Sequence, residues 1–409
     1  MRKMKLEKTA RQTLLLYAST LLSVLLGIAC SILNTRSLPP AEYGDVRYVQ
    51  NILNLFSCVL FFGVFFAGSR MLAVSQDRNS SSGIRGTLIL FLGALSLVAV
   101  LFTVTLAYIP HNAKIRSLLL FSSLVSMQPL LASYTDNVFI GDNHIGRLSL
   151  ARVLPKVLYV VIAFFCFREF GATSTSMMLL QWGLYVVIFL ILIFSTSPSF
   201  GNIRENARQL FKENKEYGNK IYIGTIVSVA TNYLAGVTLG MVNSDNTMVG
   251  FYTLALTVTY PLSTLPAIVG SSFFKRFASE SRISGKVMLW TASLTLLTMV
   301  AFVFLIKPVV ILFYTEQYKE VAVLSQWMSL SFCLHGFGDF LKGFLTSHAQ
   351  GSIIMKSCSA AGAIKLVGYL VLVYFFNTAG ALVTLIVSEM IYCGLLALGY
   401  RRYVNSNNV

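Results

Sequence analysis

Charge is scarce in this sequence. Of 409 residues, 12% are Asp, Glu, Lys or Arg and 56% are hydrophobic, whereas soluble domains are about one-quarter charged. The shortage excludes a fold whose main solvent is water. Cysteine offers no framework either. Cys30, Cys58, Cys166, Cys333, Cys358 and Cys393 fall within apolar runs or at their ends, with no C-x-x-C pair, so they read as small packing residues rather than disulfide partners or metal ligands. The four histidines, His111, His144, His335 and His348, are scattered, and no metal is expected at them. No G-x-S-x-G, H-E-x-x-H or G-x-x-x-x-G-K-[ST] occurs, so no catalytic residues and no cofactor are expected, and the chain is not read as an enzyme.

Long apolar runs are what the sequence has in abundance. A membrane span needs about 20 predominantly apolar residues. Such runs lie near 13 to 34, 50 to 68, 87 to 109, 117 to 140, 154 to 167, 176 to 196, 219 to 241, 248 to 273, 287 to 314, 321 to 344, 353 to 376 and 379 to 399. Lys307-Pro308 falls inside the ninth, and a proline there can kink or end the helix. The expected fold is therefore an all-α integral membrane protein of about 12 transmembrane helices. The first run is too long for a signal-peptide apolar core and reads as the first anchor.

Net charge is +16, and its distribution decides what it means. With the N-terminus inside, cytoplasmic segments hold 24 of the 32 Lys and Arg and outer segments hold seven; Lys365 alone lies within a span. This positive-inside bias places both termini in the cytoplasm. The cations flank apolar helices without forming one basic face, which points to membrane lipids as partners and not to nucleic acid.

The chain also repeats itself. A shift of 206 residues lays Gly44 on Gly250, Ser57 on Ser263 and Arg70 on Arg276, and the first six runs overlay the last six. This predicts two pseudo-symmetric six-helix bundles, residues 1–196 and 219–409, around a central cavity, joined by a cytoplasmic linker at 197–218. Residues 204–217 of that linker read as an amphipathic surface helix. Parallel repeats of this kind are a transporter design, with substrate held between halves that rock to alternate access.

Three segments carry a family resemblance: Thr35-Arg36-Ser37-Leu38-Pro39-Pro40-Ala41-Glu42-Tyr43-Gly44, Val249-Gly250-Phe251-Tyr252 with Ala255, and Leu312-Phe313-Tyr314-Thr315-Glu316-Gln317-Tyr318 with Ala322. They resemble loops of the polysaccharide transporters, in particular the O-antigen or repeat-unit flippases, of the multidrug/oligosaccharidyl-lipid/polysaccharide (MOP) superfamily. The resemblance implies transport of a lipid-linked oligosaccharide, a polyprenyl pyrophosphate glycan, from the cytoplasmic to the outer face, with glycan assembly proteins as possible partners. A multidrug or organic-cation antiporter of the same superfamily is the first alternative, and a membrane saccharide polymerase or acyltransferase the second.

Ionisable groups inside spans mark candidate sites, because a charge at the bilayer centre costs on the order of 3 kcal/mol and needs a cavity or a partner. Four qualify: Asp136, Asp339, Lys365 and Glu389. His335 and Asp339 share one helical face, and Lys342 follows a turn later. Two readings stay open, that Asp339, Glu389 and Lys365 neutralise one another or that Lys365 holds the substrate's pyrophosphate. Asp136 also reads as an interfacial residue. Arg36 and Arg47 flank the first outer turn, Arg36 closing the first helix and Arg47 placed to meet an anionic headgroup. The candidate substrate-binding set is thus Lys365, Arg47, Arg36, Asp136, Asp339 and Glu389. Tyr17 and Tyr233, with Asn232 beside it, are the tyrosines with polar neighbours suited to sugar stacking.

Overall fold

Every expected apolar run becomes helical. The computed structural model describes residues 2–75, 77–110 and 112–406, and among them there is no strand. His111 and Asn407 lie outside the described residues. The chain forms two compact units: the residues up to Leu38 with Val49–Ile226, and Pro39–Tyr48 with Val227–Val409.

The first unit begins with α1 (Arg2–Ser37). A broken helix follows, α2 (Pro40–Leu60), whose residues up to Tyr48 belong to the second unit, and α3 (Val64–Val74), bent by 59°. Gly63 makes the break, with φ at 74°, a conformation that glycine adopts without a Cβ penalty. Next come α4 (Arg78–Leu106), α5 (Ala113–Ser122), α6 (Gln128–Gly141), α7 (Ile145–Phe170) and α8 (Ser174–Phe194). The expected amphipathic stretch is α9 (Ile203–Glu213), closed by a π-turn at Asn214–Gly218. Its Leu210 is buried, Phe211 meets Phe91 edge-on, and Glu213 pairs with Arg70 at 2.6 Å. Then α10 (Asn219–Val242) runs from this unit into the second.

In the second unit, α11 (Thr247–Thr259) and α12 (Pro261–Ser272) adjoin at Tyr260-Pro261 within one apolar stretch, and a short α13 (Phe274–Phe277) follows. The ninth run stays helical through Lys307-Pro308 as α14 (Gly285–Tyr314). Beyond it stands α15 (Lys319–Ser347). The stretch Gly351–Ser406 is interrupted at Asn377, whose φ of 52° and ψ of −131° are non-helical; we number its parts α16 (351–376) and α17 (378–406). Asn243 and Asn377 bind each other reciprocally at 2.6 and 3.0 Å, which fixes this turn against the end of α10.

Two close approaches organise this unit. A Cβ on Gly250 would lie 3.1 Å from Gly44 Cα, and one on Gly44 would run into the Asn246 carbonyl. The two residues aligned by the 206-residue shift thus touch, and Asn246 donates to Asp45 at 2.8 Å beside them. The second approach joins α12 and α15, where Gly336 faces the Ser263 backbone and Gly343 faces Gly270. Small residues let such helices pack backbone to backbone, which turns His335 and Asp339 of α15 toward α17.

Among the described residues, eight helical stretches are long and apolar enough to cross a membrane, or nine with the bent pair. Of the remaining expected spans, α10 has a shorter apolar stretch, Val229–Val242, α15 carries ionisable residues, and α16 and α17 count as one helix across Asn377.

Candidate functional site

Each unit holds a cluster of charged side chains deep within its apolar helices. In the second unit, Lys365 of α16 reaches Glu389 of α17, Nζ to Oε1 at 2.7 Å. The other carboxylate oxygen meets His335 Nδ1 of α15 at 2.8 Å. One turn along α15, Asp339 lies 3.6 Å from His335 Nε2 and 3.5 Å from Lys342 Nζ. Tyr392 of α17 donates to Asp339 at 2.7 Å and stacks its ring on His335. The chain of contacts runs outward from the interior: side-chain exposure is 5% at Glu389, 11% at Lys365, 28% at Asp339 and 41% at Lys342. Two lysines match two carboxylates, so a proton on His335 would leave the cluster with a net positive charge.

This arrangement brings Lys365, Asp339 and Glu389 together, as the neutralisation reading expected. Lys365 therefore meets a carboxylate at ion-pair distance. The sequence set omitted His335 and Tyr392. Spacing along α15 already pointed to His335; Tyr392 had no mark to distinguish it from 18 other tyrosines.

The first unit holds a different kind of site. The fifth run was expected at 154 to 167, but α7 starts at Ile145 and carries Arg147, Arg152 and Lys156 within it. Lys156 stands three turns into the helix, about 16 Å from its start. Lys365 is thus not the only cation deep inside a span. What permits the longer helix is a ladder of polar partners on α1. Ser19 bonds Ser149 at 3.1 Å, Thr20 accepts from Arg152 at 2.9 Å, Ser23 accepts from Lys156 through both its carbonyl and its hydroxyl at 2.7 Å, and Asn34 accepts from Tyr159 at 2.5 Å. Gly27 leaves room beside the ammonium, where a Cβ would lie 3.6 Å from Nζ. Arg152 also binds Asp136 at 3.1 Å, while Asp136 is exposed. Among the described residues Lys156 has no ion-pair partner. A half-buried ammonium held by neutral oxygens keeps its charge available to an arriving anion.

Arg36 occupies the last turn of α1 and is exposed, a position favourable for a cation at a helix C-terminus. Arg47 donates to Tyr43 at 2.8 Å and lies over its ring at 5.0 Å. Neither is a free cation. Tyr17 is exposed on α1. None of the six cysteines forms a disulfide, and no group of three His, Cys, Asp or Glu able to hold a metal occurs among the described residues.

Residues 9–279 match the family model described as polysaccharide biosynthesis protein. The chain belongs to the polysaccharide biosynthesis protein family. The match takes in Arg36, Arg47, Asp136 and Lys156, and ends before Asp339, Lys365 and Glu389. No curated protein matches the chain in sequence. Among solved structures, the lipid II flippase MurJ in an inward closed conformation has a TM-score of 0.73 at 13% identity, over 95% of this chain and 87% of MurJ. An inward-facing multidrug resistance MATE family transporter of the MOP superfamily has a TM-score of 0.70 at 13% identity, over 94% of this chain and 95% of its own. A MOP superfamily transporter from Pyrococcus furiosus scores 0.59 at 13% identity, over 98% and 96%. This member of the polysaccharide biosynthesis family thus has the all-helical fold of MOP superfamily transporters.

Proposed function

We propose that the protein is a flippase that carries a lipid-linked saccharide from the cytoplasmic to the outer face of a bacterial inner membrane by alternating access, and not an enzyme. The observation that carries this reading is a membrane-embedded cation without a carboxylate partner, Lys156, in a member of the polysaccharide biosynthesis family. A polyprenyl pyrophosphate glycan presents an anion at the depth where its polyprenyl tail meets its sugars. Lys156 and the neighbouring Arg152 supply the charge that such a headgroup needs, and the Ser23 hydroxyl supplies a further polar contact. Likeness in fold to a lipid II flippase supports a lipid-borne cargo.

The reading extends to topology and division of labour. Twelve spans form two bundles, 1–196 and 219–409, joined by the segment 197–218, with both termini cytoplasmic. Arg36 and Arg47 serve the outer rim, and Asp136 orients Arg152. Lys365, Glu389 and Asp339 hold the second bundle's helices together, so Lys365 acts on the cargo only indirectly. The multidrug or organic-cation alternative needs a spare buried acid. Each of the two carboxylates in the second unit's cluster is matched by a cation, and the unmatched charge, Lys156, has the sign that attracts an anion.

A deletion strain tests the proposal. It should accumulate an undecaprenyl-linked glycan on the cytoplasmic face, relieved by the wild-type gene and not by Lys156→Met at equal expression. A strain with no such accumulation and an intact surface glycan would remove the saccharide reading.

A further inference from the structure

A second cationic pocket lies away from the α1–α7 ladder, where the ends of three helices meet in the first unit. The side chain of Asp77 caps α4 by accepting from the amides of Asn79 and Ser80, and this places Asn79, Ser82 and Arg85 along one side of a cavity of about 550 Å³. His144 and Arg147 at the start of α7 form another side, and Ser195 just past α8 closes it. The cavity is at the same end as the beginning of α1, since Gln12 donates to Asn143 in the turn that opens α7.

Arg85 is 7% exposed. Its Nη1 pairs with Asp142 at 3.1 Å, yet its Nε is buried with no hydrogen-bond partner. An N–H left unsatisfied in a buried guanidinium is costly, so the Arg85 side chain has hydrogen-bonding capacity that the protein itself does not use. Arg147 is oriented by Ser195, which accepts from Nε through its hydroxyl and from Nη2 through its carbonyl, both at 2.9 Å. Its third nitrogen lies 2.9 Å from His144 Nδ1. Asp142 is shared between Arg85 and His144 Nε2, each at 3.1 Å. Two guanidinium groups against one carboxylate leave a net positive charge, and α7 begins without a side-chain cap on its first amides. Guanidinium forks match phosphate oxygens in geometry as well as charge. The hydroxyl-rich remainder of the lining suits a small polyol. Because α4, α7 and α8 each belong to a stretch long and apolar enough to cross a membrane, their shared end sits at the depth of lipid headgroup phosphates.

We propose that this cavity is a phosphoryl-binding site, with Arg85 and Arg147 as its cationic contacts, distinct from the site assigned to the transported cargo. The phosphoryl group comes either from an anionic lipid headgroup such as phosphatidylglycerol or from free inorganic phosphate.

The test uses the purified full chain in a neutral detergent with two probes and two variants. Native mass spectrometry measures retention of phosphatidylglycerol against diacylglycerol of the same acyl composition, which lacks the phosphate. Thermal stabilisation by inorganic phosphate is measured against chloride at equal ionic strength. Arg147→Gln is half-buried and leaves no unpaired carboxylate; Arg85→Met with Asp142→Asn removes the buried pair as a unit. Loss of one charge-assisted contact should weaken binding about tenfold. Preferential retention of phosphatidylglycerol that Arg147→Gln weakens to this extent supports the lipid source, and phosphate stabilisation that Arg147→Gln weakens to this extent supports the free anion. If neither probe binds the wild type, or if Arg147→Gln binds both as the wild type does, the proposal is overturned, whatever the fate of the double variant.

Discussion

Replacing Lys365 with methionine keeps most of its length and removes its charge. Glu389, 5% exposed, then retains only His335 as a cationic neighbour, at 2.8 Å. Removing one partner of a buried ion pair costs about 3–5 kcal/mol, because the other charge stays in a low-dielectric site. For a long chain each kcal/mol moves the melting temperature by about 2 °C, so Lys365→Met should melt roughly 5–10 °C below wild type. Glu389→Gln alone strands Lys365 and should be comparably harmful. Lys365→Met with Glu389→Gln strands neither, and replacing both members of a buried pair is often neutral. The double variant should therefore recover most of the lost stability and, if Lys365 does not touch cargo, most of the transport. Fluorescence-detected size-exclusion after heating reads all four proteins side by side. A Lys365→Met protein as stable as wild type but inactive, with no rescue by Glu389→Gln, would refute the pairing argument and return Lys365 to direct contact with substrate.

Lys156→Met should fold normally, because its partners are a hydroxyl and a carbonyl and no charge is left behind, while transport falls by about tenfold or more and Lys156→Arg keeps part of it. Gly44→Val should destabilise by about 1–3 kcal/mol through its collision with the Asn246 carbonyl, read as a lower melting temperature. In a cysteine-free protein, single cysteines at Ser81 and Asn206 should resist an impermeant thiol reagent applied outside and one at Asp245 should react; labelling at Asn206 would overturn the topology. Asn246 is the poorer reporter of that loop, being buried and bonded to Asp45, whereas Asp245 is exposed.

Hydropathy alone was enough to find the helices, since each long apolar run must satisfy its backbone internally. It also found the break near 377, where Asn and Thr interrupt the run. The in-span charges Asp339, Lys365 and Glu389 stood out for the same energetic reason. Their pairing did not, because Lys365 meets Glu389 across two helices whose mutual rotation no local pattern encodes. Lys156 was read as a cytoplasmic flank because Arg147, Arg152 and His144 dilute the hydropathy ahead of it. The helix runs on regardless, since Thr20 and Ser23, more than 130 residues earlier, receive those cations. Long-range polar partners of this kind leave no trace in a window of 20 residues.

The central claim is tested most directly by reconstituting the purified protein into liposomes with a polyprenyl pyrophosphate oligosaccharide that carries a fluorophore on its sugar. An impermeant reductant then bleaches whatever sugar faces outside. The account predicts that wild-type proteoliposomes lose signal from the inner leaflet over time and that Lys156→Met proteoliposomes bleach only the outer-leaflet share. Wild-type protein, folded and inserted, that bleaches no more than protein-free liposomes would contradict it.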